Sequence, residues 1–274
     1  METKKFETKK SLGQHFLTSG VVPKWMCDAA ALTSADTVLE IGPGTGVLTV
    51  EILKRGASVV ALEADARAIE VLVERFASEI KAGKLTVLHT DVRTLDLAAL
   101  PGIQNHTFKV VANIPYYLSG MLFRIILESE IQPTTLVYLV QKEVAKRITE
   151  DLQKGEKESI LSLSIKAYGT PKYVKTVSKG HFSPQPKIDS AVILVQNINK
   201  KNFITLRENF FFEILHIGFG QKRKQLLGNL SKKYERTLLT NIFSTVGIPI
   251  LARAEDVPLE KWLTLCEALI VHTK

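Results

Sequence analysis

Two runs carry residue types suited to chemistry on a nucleobase: Glu40-Ile41-Gly42-Pro43-Gly44-Thr45-Gly46 and Asn113-Ile114-Pro115-Tyr116. The exocyclic amine of adenine is a poor nucleophile because its lone pair is delocalised into the ring. A protein that alkylates it should accept hydrogen bonds from both N–H groups and so favour a more pyramidal nitrogen. The Asn113 side-chain oxygen and the Ile114 carbonyl offer two such acceptors. Pro115 fixes the backbone so that the carbonyl points outward, and Tyr116 offers a ring on which a base stacks. The same tetrapeptide also suits an ordinary turn after a strand.

The glycine run has the spacing G-x-G-x-G, not the G-x-G-x-x-G of dinucleotide folds. Its glycines allow a tight turn and a close backbone approach to a ligand, although a plain turn explains them as readily. Glu63 stands 21 residues after Gly42, where a carboxylate can accept from both ribose hydroxyls of an adenosine ligand. Read alone, it is equally a helix-capping or surface carboxylate. Asp91 closes a third strand in the same way, beside the adenine of that ligand. Phe182, in Phe182-Ser183-Pro184-Gln185-Pro186-Lys187-Ile188-Asp189-Ser190, sits in a loop stiffened by prolines. It is either held above the pocket opposite Tyr116 or is a core residue anchoring a long loop. His15 and His181 receive no acid–base role, since a sulfonium leaving group and an amine nucleophile need no strong base.

The elements that position these residues follow from periodicity. Apolar runs at 37–41, 58–63, 85–89, 109–112, 134–140, 172–178 and 191–196 read as seven strands. Helical patterns separate them, including one at 65–80 opened by Asp65. Alternating strands and helices imply a doubly wound, mostly parallel sheet covered on both faces. No helix separates the last two strands, which should therefore pair antiparallel. From residue 200 onward the pattern is helical, at 206–216, 222–230, 237–246 and 259–271. The domain boundary falls near residue 198.

Composition narrows the classes further. Hydrophobic residues at 45% and charged residues at 23% exclude wholesale disorder. No apolar run approaches the roughly 18 residues of a membrane span, and the lysine-rich segment 1–10 lacks the apolar core of a signal peptide. Cys27 and Cys266 have neither disulfide nor zinc-site spacing, which fits a reducing cytoplasm. The net charge is +8, and the last 79 residues hold 12 Lys and Arg against 7 Asp and Glu. A basic end domain points to a polyanionic partner, with a solvated lysine face as the alternative.

Taken in order, Gly13-Gln14-His15-Phe16-Leu17, E-I-G-P-G-T-G, Glu63, Asp91, N-I-P-Y-Y and F-S-P-Q-P-K-I-D-S resemble the ribosomal RNA adenine N6,N6-dimethyltransferase family. The resemblance runs nearly end to end. In the helical part, Phe219-Gly220-Gln221-Lys222-Arg223-Lys224-Gln225-Leu226, followed by Asn229-Leu230, resembles that family's basic segment. It implies a class I S-adenosylmethionine-dependent methyltransferase fold at 1–198 and a helical RNA-binding domain at 199–274. It further implies S-adenosylmethionine as donor, no metal, and a cytoplasmic monomer acting on 16S rRNA of the small ribosomal subunit. The implied donor-site residues are His15, Leu17, Gly42, Gly44, Glu63, Asp91 and Asn113. Those at the target base are Asn113, Ile114, Pro115, Tyr116 and Phe182, and Lys222, Arg223 and Lys224 face RNA. Two departures stand out: His15 replaces an Asn common in bacterial members, and Gln221 replaces a basic residue. The alternatives are a large-subunit methyltransferase of the erythromycin-resistance type and a non-catalytic RNA-binding assembly or transcription factor. The basic segment disfavours the former and the intact donor motifs disfavour the latter.

Overall fold

The computed structural model describes residues 15–272. Gly13, Gln14 and the lysine-rich segment 1–10 therefore lie outside the described residues. By their internal contacts the described residues form two compact units, 15–145 with 171–198, and 146–170 with 199–272. A boundary near residue 198 would place 146–170 with the first unit; in the folded chain these residues group with the second.

The first unit opens with β1 (Phe16–Leu17) and α1 (Val21–Ala29), followed by β2 (Thr37–Ile41), α2 (Val47–Lys54) and β3 (Ser58–Glu63). Next come α3 (Ala66–Arg75), α4 (Ala77–Lys81), β4 (Leu85–His89), β5 (Phe108–Asn113), α5 (Ser119–Leu127) and β6 (Thr135–Gln141), and α6 (Lys142–Thr149) runs on from the first unit into the second. After α7 (Ile160–Lys166) the chain returns through β7 (Thr170–Val177), β8 (Phe182–Ser183) and β9 (Ser190–Gln196).

The main sheet has seven strands in the order β4-β3-β2-β5-β6-β9-β7. The pairs β2/β3, β3/β4, β2/β5 and β5/β6 are parallel, and β9 runs antiparallel to β6. Strands β5, β6 and β9 are buried almost without alternation, from Val110 to Ala112, Leu136 to Val140 and Ala191 to Val195. Such runs mean that both faces of the sheet are covered. The order reverses between β2 and β5, so the crevice beyond their carboxyl ends is the topological switch point, where open α/β sheets bind ligands.

A second, two-stranded sheet was not anticipated. β1 pairs antiparallel with β8, matching Phe16 to Ser183 and Leu17 to Phe182. The helix expected at 65–80 is two, broken at Phe76 (φ −113°, ψ 29°), whose ring packs against Gly46. Asp65 caps α3 as expected, accepting from the Arg67 N–H.

The second unit is helical: α8 (Glu208–Gly218), α9 (Leu226–Leu230), α10 (Arg236–Val246) and α11 (Leu259–Ile270) follow α7. Phe211, Leu215, Leu226, Phe243, Trp262 and Leu265 are buried. α8 and α11 approach so closely that a Cβ at Gly218 would lie 2.4 Å from the Trp262 ring. The helix expected over 222–230 starts only at Leu226. Gln221 to Lys224 form a turn, closed by the Lys224 N–H donating to the Gln221 carbonyl at 3.0 Å. The buried Asn229 side chain holds that turn from beneath, donating to the carbonyls of Gly218 at 2.6 Å and Gln221 at 3.2 Å.

Candidate active site

A cavity of about 730 Å³ opens where β2, β3, β4 and β5 end. Its walls include Gly42, Gly44, Glu63 and Asp91 from the first three of these strand ends. Asn113, Ile114, Pro115 and Tyr116 come from the fourth, and His15 and Leu17 from the lead-in. The sequence-predicted site residues of the first unit thus share one cavity, with one exception.

That exception is Phe182. Its side chain is 4% exposed and belongs to the apolar cluster containing Leu17, Val22, Met26 and Val177. It does not line the cavity, so the placement opposite Tyr116 is not found; the core-anchor alternative describes its position. The cause is the β1/β8 pairing, which puts Phe182 beside Leu17 in the core. The ring that faces Tyr116 is instead His15, stacked at 5.5 Å between centroids with 27° between planes.

The glycine turn is shaped by close approach. Gly44 (φ +57°) lies under the Phe16 ring, which an added Cβ would meet at 2.6 Å. Gly46 (φ +82°) caps α2 in the left-handed region that disfavours any side chain. Its neighbour Gly44 donates its N–H to Glu63 Oε2 at 3.0 Å, while Glu63 Oε1 accepts from the Ala64 and Asp65 N–H groups at 2.8 and 2.9 Å. A carboxylate has about four acceptor sites, so Glu63 both ties the β2 turn to the end of β3 and keeps capacity for a ligand.

Asp91 is held differently. Hydrogen bonds from the Arg93 side chain, then from the Arg93 N–H, hold its carboxyl down at about 2. It therefore remains ionised at the cavity edge.

At the end of β5, Asn113 Nδ2 donates to the His15 carbonyl at 3.1 Å. This bond orients the amide and leaves Oδ1 as the acceptor. His15 is itself fixed, its Nδ1 lying 2.7 Å from the Pro184 carbonyl, which requires the proton on Nδ1. The Tyr116 hydroxyl lies 2.6 Å from Ser190 Oγ. Burial pushes that phenol upward, against a smaller opposing effect of the Ser190 bond. Ser190 stands in the quoted K-I-D-S motif, but only the fold shows that it anchors Tyr116.

Glu40 was missed as a site residue. It is 1% exposed beneath the glycine turn, accepts from Thr49 Oγ1 at 2.8 Å through Oε2, and has no hydrogen-bond partner for Oε1 among the described residues. Its place as the residue opening the glycine motif was the available signal.

The profile of the family described as ribosomal RNA adenine dimethylase matches residues 5–270. This chain belongs to that family. Ribosomal RNA small subunit methyltransferase A of Dehalococcoides mccartyi is 37% identical over 268 residues, covering 97% of this chain and 90% of the relative. The protein of that name from Bacillus cereus is 36% identical over 276 residues, covering 97% and 93%. Two solved structures share the fold. A dimethyladenosine transferase from Plasmodium falciparum has a TM-score of 0.77 at 24% identity, covering 92% of this chain and 96% of that one. The 23S rRNA methyltransferase ErmE has a TM-score of 0.70 at 24% identity, covering 93% and 99%. The sheet of this adenine dimethylase family member is accordingly the class I methyltransferase fold.

In the second unit of the dimethylase, Lys222, Arg223 and Lys224 are exposed on the Gln221 turn, not along a helix. No helix among the described residues is long and apolar enough to cross a membrane.

Proposed function

We propose that this protein transfers methyl groups from S-adenosylmethionine to N6 of two adjacent adenosines near the 3′ end of 16S rRNA. In this reading it acts as a cytoplasmic monomer on the small ribosomal subunit. The observation that carries it is the fixed Asn113 amide, whose Nδ2 is committed to the His15 carbonyl so that Oδ1 is left as an acceptor in the cavity that Ile114 also lines.

The cavity fits the donor. Gly42 offers an open backbone surface, with nothing within 4 Å of where a side chain would begin, Glu63 a buried carboxylate for a ribose, and Asp91 an ionised carboxylate for an adenine. Gly44, under the Phe16 ring, and Leu17 complete the walls, with His15 at the edge. S-adenosylmethionine supplies an electrophilic methyl group. The chain's own work is to hold the nucleophile. Asn113 Oδ1 and the Ile114 carbonyl accept from the two N–H groups of the adenine amine, localising its lone pair. Pro115 stiffens that backbone, and Tyr116, pinned by Ser190, supports the flipped base. Phe182 contributes by anchoring the β1/β8 ribbon that carries His15. Small-subunit RNA from a deletion strain should lack dimethyladenosine by mass spectrometry; normal dimethylation would reject the proposal.

Glu63→Ala should weaken donor binding by about tenfold to a hundredfold, the loss of a charged acceptor worth roughly 1.5–3 kcal/mol. Calorimetry on the folded variant checks this, and unchanged affinity would remove Glu63 from the donor site.

An active site that reads one adenine cannot choose two adenosines in a ribosome, so selection rests on contacts to folded RNA. Lys222, Arg223 and Lys224 are suited to phosphate contacts. Charge reversal at Arg223 and Lys224 should weaken small-subunit binding and flatten its salt dependence by about one unit of log–log slope per lost contact. Donor affinity should stay the same. A wild-type salt slope in the reversal variant would make the turn a solubilising surface.

A further inference from the structure

Tyr117 has no part in the mechanism above. It follows Tyr116 in the 3-10 turn Tyr116–Leu118, yet the two rings are held differently. Tyr116 is half-buried, with its hydroxyl on Ser190 and its ring on His15. Tyr117 is 66% exposed and still lines the cavity. A large aromatic side chain at the rim of a cavity, open to water, presents a π face that any nucleobase can cover.

Arg93 lines the same cavity. Its side chain is 67% exposed and clasped to Asp91, which restricts its motion. A restrained guanidinium and an open aromatic ring on one cavity supply what a nucleotide needs, positive charge for its phosphate and a stacking surface for its base.

Flipping a nucleotide into the cavity also strips its neighbour of a stacking partner. The backbone linking the two keeps that neighbour at the rim. We infer that Tyr117 stacks on the nucleobase adjacent to the one in the cavity, so that the site grips a dinucleotide step of single-stranded RNA rather than one base. The inference rests on the proposed adenine chemistry and adds a residue to its substrate recognition.

The test uses the full chain, small subunits from a strain lacking the modification, and the variants Tyr117→Phe, Tyr117→Leu and Tyr117→Ala. A stacking platform needs an aromatic face and not a hydroxyl. Tyr117→Phe should therefore keep the wild-type kcat/KM. Tyr117→Leu and Tyr117→Ala should lose about tenfold to a hundredfold, mainly through KM, with donor affinity and melting temperature unchanged. Leu or Ala variants with wild-type kcat/KM would overturn the inference, and so would a Phe variant as impaired as Ala. A wild-type protein that methylates no adenosine would overturn the proposed function and this inference with it. Activity in wild type that Tyr117 variants leave untouched would overturn the inference alone.

Discussion

Asn113→Ala is expected to slow methyl transfer by about 10²–10³-fold, the scale seen when one preorganised polar contact to a reacting group is removed. The side chain is not a surface acceptor that water can replace. It ends β5 at the switch point and is oriented by its 3.1 Å bond to the His15 carbonyl. Its acceptor gains strength as the amine nitrogen becomes tetrahedral, so the loss should fall on kcat more than on KM. Binding to the small subunit should be nearly intact. Single-turnover assays on unmodified small subunits, beside a binding measurement, give both numbers. A wild-type rate in the Ala variant would mean that 113–116 is a turn and nothing more.

The second large effect concerns Glu40 and pH. Burial pushes its carboxyl up from 4.5 to about 8; the Thr49 hydrogen bond opposes this and the nearby Glu63 charge adds to it. The folded state then holds a proton on Glu40 that the unfolded chain has released between about pH 4.5 and 8. Stability must fall across that window as pH rises, by up to about 1.4 kcal/mol per pH unit from this group. Below the window Glu40 is protonated in both states, and above it ionised in both, so its contribution to the slope vanishes. Glu40→Gln keeps the shape and removes the titration. Relative to wild type, the variant should gain a few kcal/mol between pH 5 and pH 8 in urea denaturation. Parallel pH–stability curves for the two proteins would show that Glu40 does not titrate in the window. The position beneath the glycine turn makes the result relevant to donor binding as well. A neutral Glu40 places no second negative charge under Glu63.

All seven strands of the main sheet were legible in the sequence, and β2, β3 and β4 coincide with the expected 37–41, 58–63 and 85–89. Their apolar runs are long enough to carry a periodic signal. Because parallel strands place their carboxyl ends along one edge, the residues closing these strands were bound to meet. Glycine spacing, Glu63, Asp91 and Asn113 were therefore readable as one site before any tertiary contact was known. The basic excess at the end of the chain was equally a matter of counting.

The rest depended on contacts between segments far apart in sequence. Two-residue strands have no period to detect, so the pairing of Phe16–Leu17 with Phe182–Ser183 was invisible, and with it the burial of Phe182. The stack of His15 on Tyr116 and the bond from Asn113 to His15 follow from that same ribbon, which brings the lead-in segment to the cavity. The helix expected at 65–80 breaks at Phe76, whose ring packs on Gly46, a contact no local propensity encodes. Lys222 to Lys224 occupy a turn because the buried Asn229 holds the Gly218 and Gln221 carbonyls from below. Sequence fixes which residues stand at the ends of regular elements, since alternation and helical period are properties of neighbours. Which of two aromatic rings faces the cavity, and which carboxylate is stripped of water, is decided by packing, because burial belongs to the assembled chain.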